Sequence, residues 1–164
     1  MNEVRRILDQ LKRVFAGNAW HGPSVKEVLS GVSAEHAAAR PLAGAHTIWE
    51  IVLHMTAWTR AGTRMLTGED VKLKPKEDWP AVSDHSAAAW ERALQALELS
   101  HNELQLMVAG LNDSRLDERV PGRPYSVYFL IHGLIQHDLY HAGQIAILRK
   151  GLPVDGAEPR AHGL

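Results

Sequence analysis

The chain contains no cysteine, which excludes disulfides, a cysteine nucleophile and thiolate metal sites together. It also lacks an excess of either charge. A formal net charge of -1, with no run of five or more basic residues, leaves no electrostatic footprint for nucleic acid. Long apolar runs are missing too: His, Trp, Arg or Gln interrupts every one well short of the roughly 20 residues a membrane span needs. The opening segment MNEVRRILDQ has no signal-peptide core, so a soluble, cytoplasmic protein is expected. Finally, no segment of four to eight alternating β-branched residues competes with helical periodicity.

What is present is helix. At 164 residues, 45% of them hydrophobic, the chain is long enough for one well-buried core and too short to favour two. The expectation is one domain over residues 1–150 and a tail over 151–164. Val4, Ile7, Leu8, Leu11, Val14 and Phe15 form one face of a first helix that fails at Gly17 and at His21-Gly22-Pro23. A short helical piece follows through Val25, Val28 and Leu29. Thr47-Ile48-Trp49-Glu50 has the form of a capping box, so a second helix starts near Thr47 and runs to about Leu66. Its apolar stripe is Ile48, Ile51, Met55, Trp58 and Met65. A linker from Lys72 to Pro80 precedes a third helix with core positions Trp90, Leu94, Leu97, Leu104, Val108 and Leu111. A last helix begins near Ser126 and stops at Arg149-Lys150-Gly151, with Pro153 just beyond. The tail, a poor helix former, extends over the surface or a partner. Four amphipathic helices without strands give an all-α four-helix bundle, and its long inter-helix connections mean that it need not be a simple up-and-down one.

Histidine is abundant, with ten copies. Chance alone supplies roughly 0.6 pairs at i,i+4, so the spacing of His137 and His141 decides little by itself. Their position decides more. Leu130, Leu134, His137, His141, Ile145 and Leu148 share one helical row, which places two imidazoles inside the apolar stripe. Each buried polar atom left unpaired costs on the order of 1 to 3 kcal/mol, and a divalent cation removes that cost by accepting a lone pair from each ring. A third ligand then has to come from a facing helix. His54 points inward between Ile51 and Trp58, while His101 holds an equivalent stripe position between Leu97 and Leu104, and periodicity does not choose between them.

The segments GAHTIWEIVLHMTAWTR and HGLIQHDLYHAGQIAILRK resemble the DinB/YfiT-like superfamily of four-helix-bundle metalloproteins. The likeness runs from about Val4 to Lys150, and Trp20-His21-Gly22-Pro23 resembles one branch. The resemblance implies that His54, His137 and His141 are the metal ligands and that the protein is a homodimer. Many relatives read HHRGQ where this chain has Tyr140-His141-Ala142-Gly143-Gln144, so an arginine and a neighbouring histidine are missing.

Three neutral nitrogens leave a coordination position open, which leans towards catalysis, since structural zinc sites are usually closed by four protein ligands. Imidazole suits zinc, nickel, iron and copper alike; the resemblance favours nickel or zinc. It also implies the chemistry, namely a transferase using a low-molecular-weight thiol, with a hydrolase using metal-bound water as the alternative. A small-molecule substrate is expected in both cases, and with no cysteine in the chain the thiol has to be a cofactor. A non-catalytic, metal-stabilised stress-response or interaction module is a further alternative.

The other polar residues receive plainer readings. His101 is expected to be a paired core histidine, and His132, about 140° around the helix from His137, has no assigned role. Glu50 is explained by its cap. Asp138 occupies the glutamate position of an HExxH motif but is one methylene shorter and lacks a third ligand downstream, which argues against a protease. Trp49, Trp58 and Trp90 are read as core, one of them able to line a pocket mouth. His21, His36, His46, His85 and His162 are read as solvated.

Overall fold

A computed structural model describes residues 2–153. Among these residues seven α-helices run α1 (Glu3–Ala16), α2 (Val25–Leu29), α3 (Ala34–Ala38), α4 (Ile48–Leu66), α5 (Pro75–Asp78), α6 (Ala87–Ala109) and α7 (Val127–Lys150), with a 3-10 turn at Asp113–Asp117. No strand is present among them; one isolated bridge pairs Arg119 with Ser126. The four long helices are the four expected from periodicity, while α3, α5 and the 3-10 turn are additions within the connections. The third long helix stops at Gly110, so Leu111 packs on the core from beyond its end. The tail from residue 154 to 164, with its expected course over surface or partner and with His162, lies outside the described residues. No helix among the described residues is long and apolar enough to cross a membrane.

Local chemistry sets the helix starts. The Glu50 amide donates to Thr47 Oγ1 at 3.1 Å and the Thr47 amide donates to Glu50 Oε2 at 2.7 Å, the reciprocal pair expected of a capping box. Ser86 and Ser126 accept from the third amides of α6 and α7 in the same manner, each cap contributing about 1 kcal/mol. At the start of α1 the Glu3 and Val4 amides donate to Asp113, a carboxylate beyond the end of α6, which satisfies two orphan donors with a favourably placed negative charge.

α4 and α1 each pack against both α6 and α7, so α1 lies diagonally opposite α4, and α6 opposite α7. The core forms two clusters. One joins α1 to the second half of α4 (Ala61, Met65), the second half of α6 (Leu104, Val108) and the first half of α7 (Ile131, Ile135). The other joins the first halves of α4 and α6 (Ile51, Met55, Trp90, Leu97) to the second half of α7 (Ala142, Ile145). Consecutive long helices α4 and α6 are therefore parallel, and α7 runs against both. A parallel pair requires a connection that returns along the bundle. That crossover carries Val71 and Leu73 on the first cluster and Trp79 and Val82 on the second, passing the middle of α4 as it goes.

Candidate metal centre

The two apolar clusters are separated by a layer of buried polar side chains. In α7 it falls between Ile135 and Ala142, in α4 around His54 to Thr59, and in α6 at Ser100 and His101. His54, His137 and His141 meet at one edge of this layer. His54 and His141 are buried and His137 is half-buried, and one ring nitrogen from each lies within 4.8 Å of the others. Nε2 of His137 is 3.0 Å from Nε2 of His54 and 3.1 Å from Nε2 of His141.

Hydrogen bonding on the far side of the rings decides what those nitrogens offer. His54 Nδ1 donates to the Asp78 carbonyl oxygen at 2.8 Å, and His141 Nδ1 donates to Gln144 Oε1 at 2.7 Å. Both acceptors take a proton and have none to give, so Nε2 of each ring carries a lone pair. Both lone pairs face His137 Nε2. A single N–H there serves one of them and leaves the other facing nitrogen without a proton, whereas a cation satisfies all three. The separations of 3.0 and 3.1 Å are also those of neighbouring ligand atoms around an ion with metal-nitrogen bonds of about 2.0 to 2.1 Å. The donor set fits a divalent transition metal.

Protonation points the same way. Burial, reinforced by the neighbouring imidazoles His141 and His54, pushes His137 down to about 3. Burial pushes His141 down to about 4 against the opposing bond to Gln144, and it lowers His54 against the Asp78 acceptors. All three rings are thus neutral near pH 7, the form that binds metals.

The rings are held firmly. Trp79 stacks on His54 at 3.8 Å and 7°, and His46 stacks on the other face of the indole at 3.6 Å and 8°. Asp78 Oδ1 accepts from Trp58 Nε1 at 2.6 Å and lies 3.1 Å from His54 Nδ1. Outer partners of this kind fix ring orientation and raise ligand basicity.

A profile of the DinB superfamily matches residues 19–145. The chain belongs to the DinB superfamily. The matched span contains His54, His137 and His141 as well as Trp20-His21-Gly22-Pro23, and it is narrower than the likeness from Val4 to Lys150 read from the motifs. Neither a curated protein nor a solved structure matches the chain.

The other candidate residues of this DinB-superfamily chain fall elsewhere. His101 does not join the trio: it sits in the bundle's centre, stacked on Phe15 at 3.8 Å, with Nε2 3.5 Å from both Asp138 Oδ2 and Thr59 Oγ1. His132 packs on Tyr128. Glu50 serves its cap and pairs with Arg40. Trp49 and Trp90 are buried in the core, whereas Trp58 is half-buried and lines a cleft. His46 departs from the reading as simply solvated, because half of it is covered by the stack on Trp79 and by Glu50.

Sequence reading missed Asp78, Trp79 and Gln144. Gln144 was legible, since a residue three positions after His141 is its neighbour on the helix. Pro75 followed by Glu77 signals a short helix inside the linker, with the Lys74 amide donating to Glu77 Oε2 at 2.8 Å. Nothing local reveals that this helix would lie against His54.

Two clefts differ in their relation to the histidines. One of about 410 Å³ opens directly on His54 and His137, with Asp78 at its rim. A larger one, about 480 Å³, runs between the Leu29–Val32 turn and α6. The larger cleft contains no histidine, and its Lys26 and Glu98 are paired with each other at 2.8 Å. Of the two, the smaller cleft is the one lined by His54 and His137.

Proposed function

We propose that His54, His137 and His141 bind a divalent transition metal, nickel or zinc first and iron next, and that the protein is a metal-dependent transferase using a low-molecular-weight thiol. The observation that carries this reading is the convergence of three Nε2 atoms, two of them stripped of their proton by acceptors on the opposite side of the ring. When bound, the ion supplies Lewis acidity, lowering the pKa of a thiol or water that reaches it.

The chain's own residues do the rest. The Asp78 carbonyl and Gln144 aim His54 and His141, and the stack on Trp79 keeps His54 from rotating. Trp58 and Leu134 form an apolar flank beside the site. A purely structural ion needs no access, so the cleft opening on His54 and His137 supports catalysis over a non-catalytic module. The proposal extends to a homodimer, supported by Tyr140 and Ile147, exposed two turns apart along the outer ridge of α7; light scattering on the eluting protein tests it.

Elemental analysis of protein purified without chelator is expected to find one divalent ion per chain. Nickel-loaded protein titrated with bacillithiol, mycothiol and glutathione is expected to change its absorption spectrum with at least one of them. Unchanged spectra with all three remove the transferase and leave a hydrolase, the second chemistry of an open site.

A further inference from the structure

The cleft beside the histidines carries more information than its position. Its lining contains no lysine or arginine, and its one charged side chain, Asp78, is already engaged with Trp58 and His54. The walls are Trp58, Tyr125, Phe129, Leu130 and Leu134, aromatic or aliphatic throughout. Phe129 remains 62% exposed although nothing polar requires it at the surface, and it lines the cleft.

Gly133, inside the first half of α7 and one turn before His137, also lines the cleft. A glycine inside a helix costs roughly 1 kcal/mol relative to alanine, so its presence calls for a reason. Packing is not that reason. A Cβ placed on Gly133 meets nothing within 4 Å, whereas one on Gly62 of α4 would lie 2.5 Å from Leu134 Cδ1. Gly62 lets two helices approach; Gly133 leaves a hollow beside the trio. Helical side chains lean towards the amino terminus, so any residue larger than glycine at 133 would project over Phe129 and Leu130 into that hollow and away from His137.

We infer that this cleft binds the apolar body of a neutral, aromatic or similarly hydrophobic substrate and presents it to the metal centre, with Gly133 supplying the room. The inference rests on the reading of the trio as that centre. A cavity of about 150 Å³ holds one benzene ring, so about 410 Å³ holds two or three rings. With no cation to pair with an anion, and with Asp78 at the rim, an anionic substrate body is disfavoured.

Two probes sharing one skeleton test this. N-phenyl-1-naphthylamine is neutral; 8-anilinonaphthalene-1-sulfonate adds a single negative charge. Both are titrated by fluorescence into metal-analysed wild type, Gly133→Ala and Gly133→Leu. The expected result is binding of the neutral probe at least about tenfold tighter than the sulfonate. It should weaken slightly in Gly133→Ala and at least about tenfold in Gly133→Leu, with metal content unchanged and melting temperature no lower in either variant. Neutral-probe binding that is absent from wild type, or unchanged in Gly133→Leu, overturns the inference, as does equal affinity for the two probes. Absence of metal from wild type, with Gly133-dependent probe binding intact, overturns the metal reading while the cleft stands.

Discussion

Two groups of buried histidine occupy the same polar layer, and they are built to opposite rules. At the edge, His54, His137 and His141 turn three Nε2 atoms towards one point, with acceptors holding the outer nitrogens of His54 and His141. At the centre, His101 and Asp138 are buried deeper, yet His101 Nδ1 and Asp138 Oδ2 have no hydrogen-bond partner. Burial pushes His101 down to about 3 and raises Asp138 well above its ordinary value, so in both groups it works against the charged form. Depth within the core therefore does not bring histidines together. What distinguishes the edge group is lone pairs aimed at a shared point and a cleft that opens on His54 and His137.

The largest expected effect comes from breaking the edge group. His137→Ala removes the nitrogen that both others face, and isothermal titration with nickel or zinc is expected to show affinity reduced by more than about a hundredfold. The wild-type gain in melting temperature on adding metal should disappear with it. Metal affinity unchanged in this variant would mean that the convergence of nitrogens is incidental.

Next in size is the outer partner of His141. Gln144→Leu keeps the side-chain bulk but removes the acceptor for Nδ1, freeing the ring to rotate and change tautomer. Affinity is expected to fall by about 10- to 100-fold in the same titration.

Acid sharpens the contrast from the central group. An unfolded imidazole takes up a proton near pH 6.5, while folded His101 resists it until about 3. Counted at His101 alone, the folded protein binds fewer protons across that window, so the stability contributed by a neutral His101 is complete above about 6.5 and falls as pH drops towards 3, while the raised Asp138 carboxyl acts in the opposite sense. Urea unfolding followed between these limits is expected to show the decline, each such histidine adding at most about 1.4 kcal/mol per pH unit. In His101→Phe the slope should shrink by the equivalent of one proton, with metal affinity intact.

The smallest effect on metal is expected when the central pair is replaced as a unit. In His101→Leu/Asp138→Leu two polar groups with unpartnered atoms give way to apolar ones, which is often neutral or stabilising. Metal affinity should stay within about threefold of wild type, and denaturant midpoints should not fall. A large loss of metal binding here would join the two groups into one functional network and dissolve the contrast between them.

Much of this architecture could be read before any coordinates. The caps at Thr47, Ser86 and Ser126 are local hydrogen bonds, so the helix starts they govern follow from a few adjacent residues. The row from Leu130 to Leu148 is likewise a property of helical pitch, which is why His137 and His141 could be placed together on one face. His54 and His101 could not be told apart in that way. Both are one helical position among apolar neighbours, and the difference between them is which helix faces them across the bundle. In the fold α4 adjoins α7, while α6 lies diagonally opposite it, so His54 reaches the pair and His101 reaches the interior.

By itself the sequence determined the helices, the buried stripes and a supply of imidazole rather than thiolate donors, because each depends on residue type and on spacing within one segment. Tertiary structure alone decided that α4 and α6 run parallel, because that depends on how distant apolar faces pair. The crossover this demands passes the middle of α4, bringing the Asp78 carbonyl and Trp79 against His54. A linker of lysine, proline and glutamate thus became one wall of the site through chain topology, a property that no local run of residues encodes.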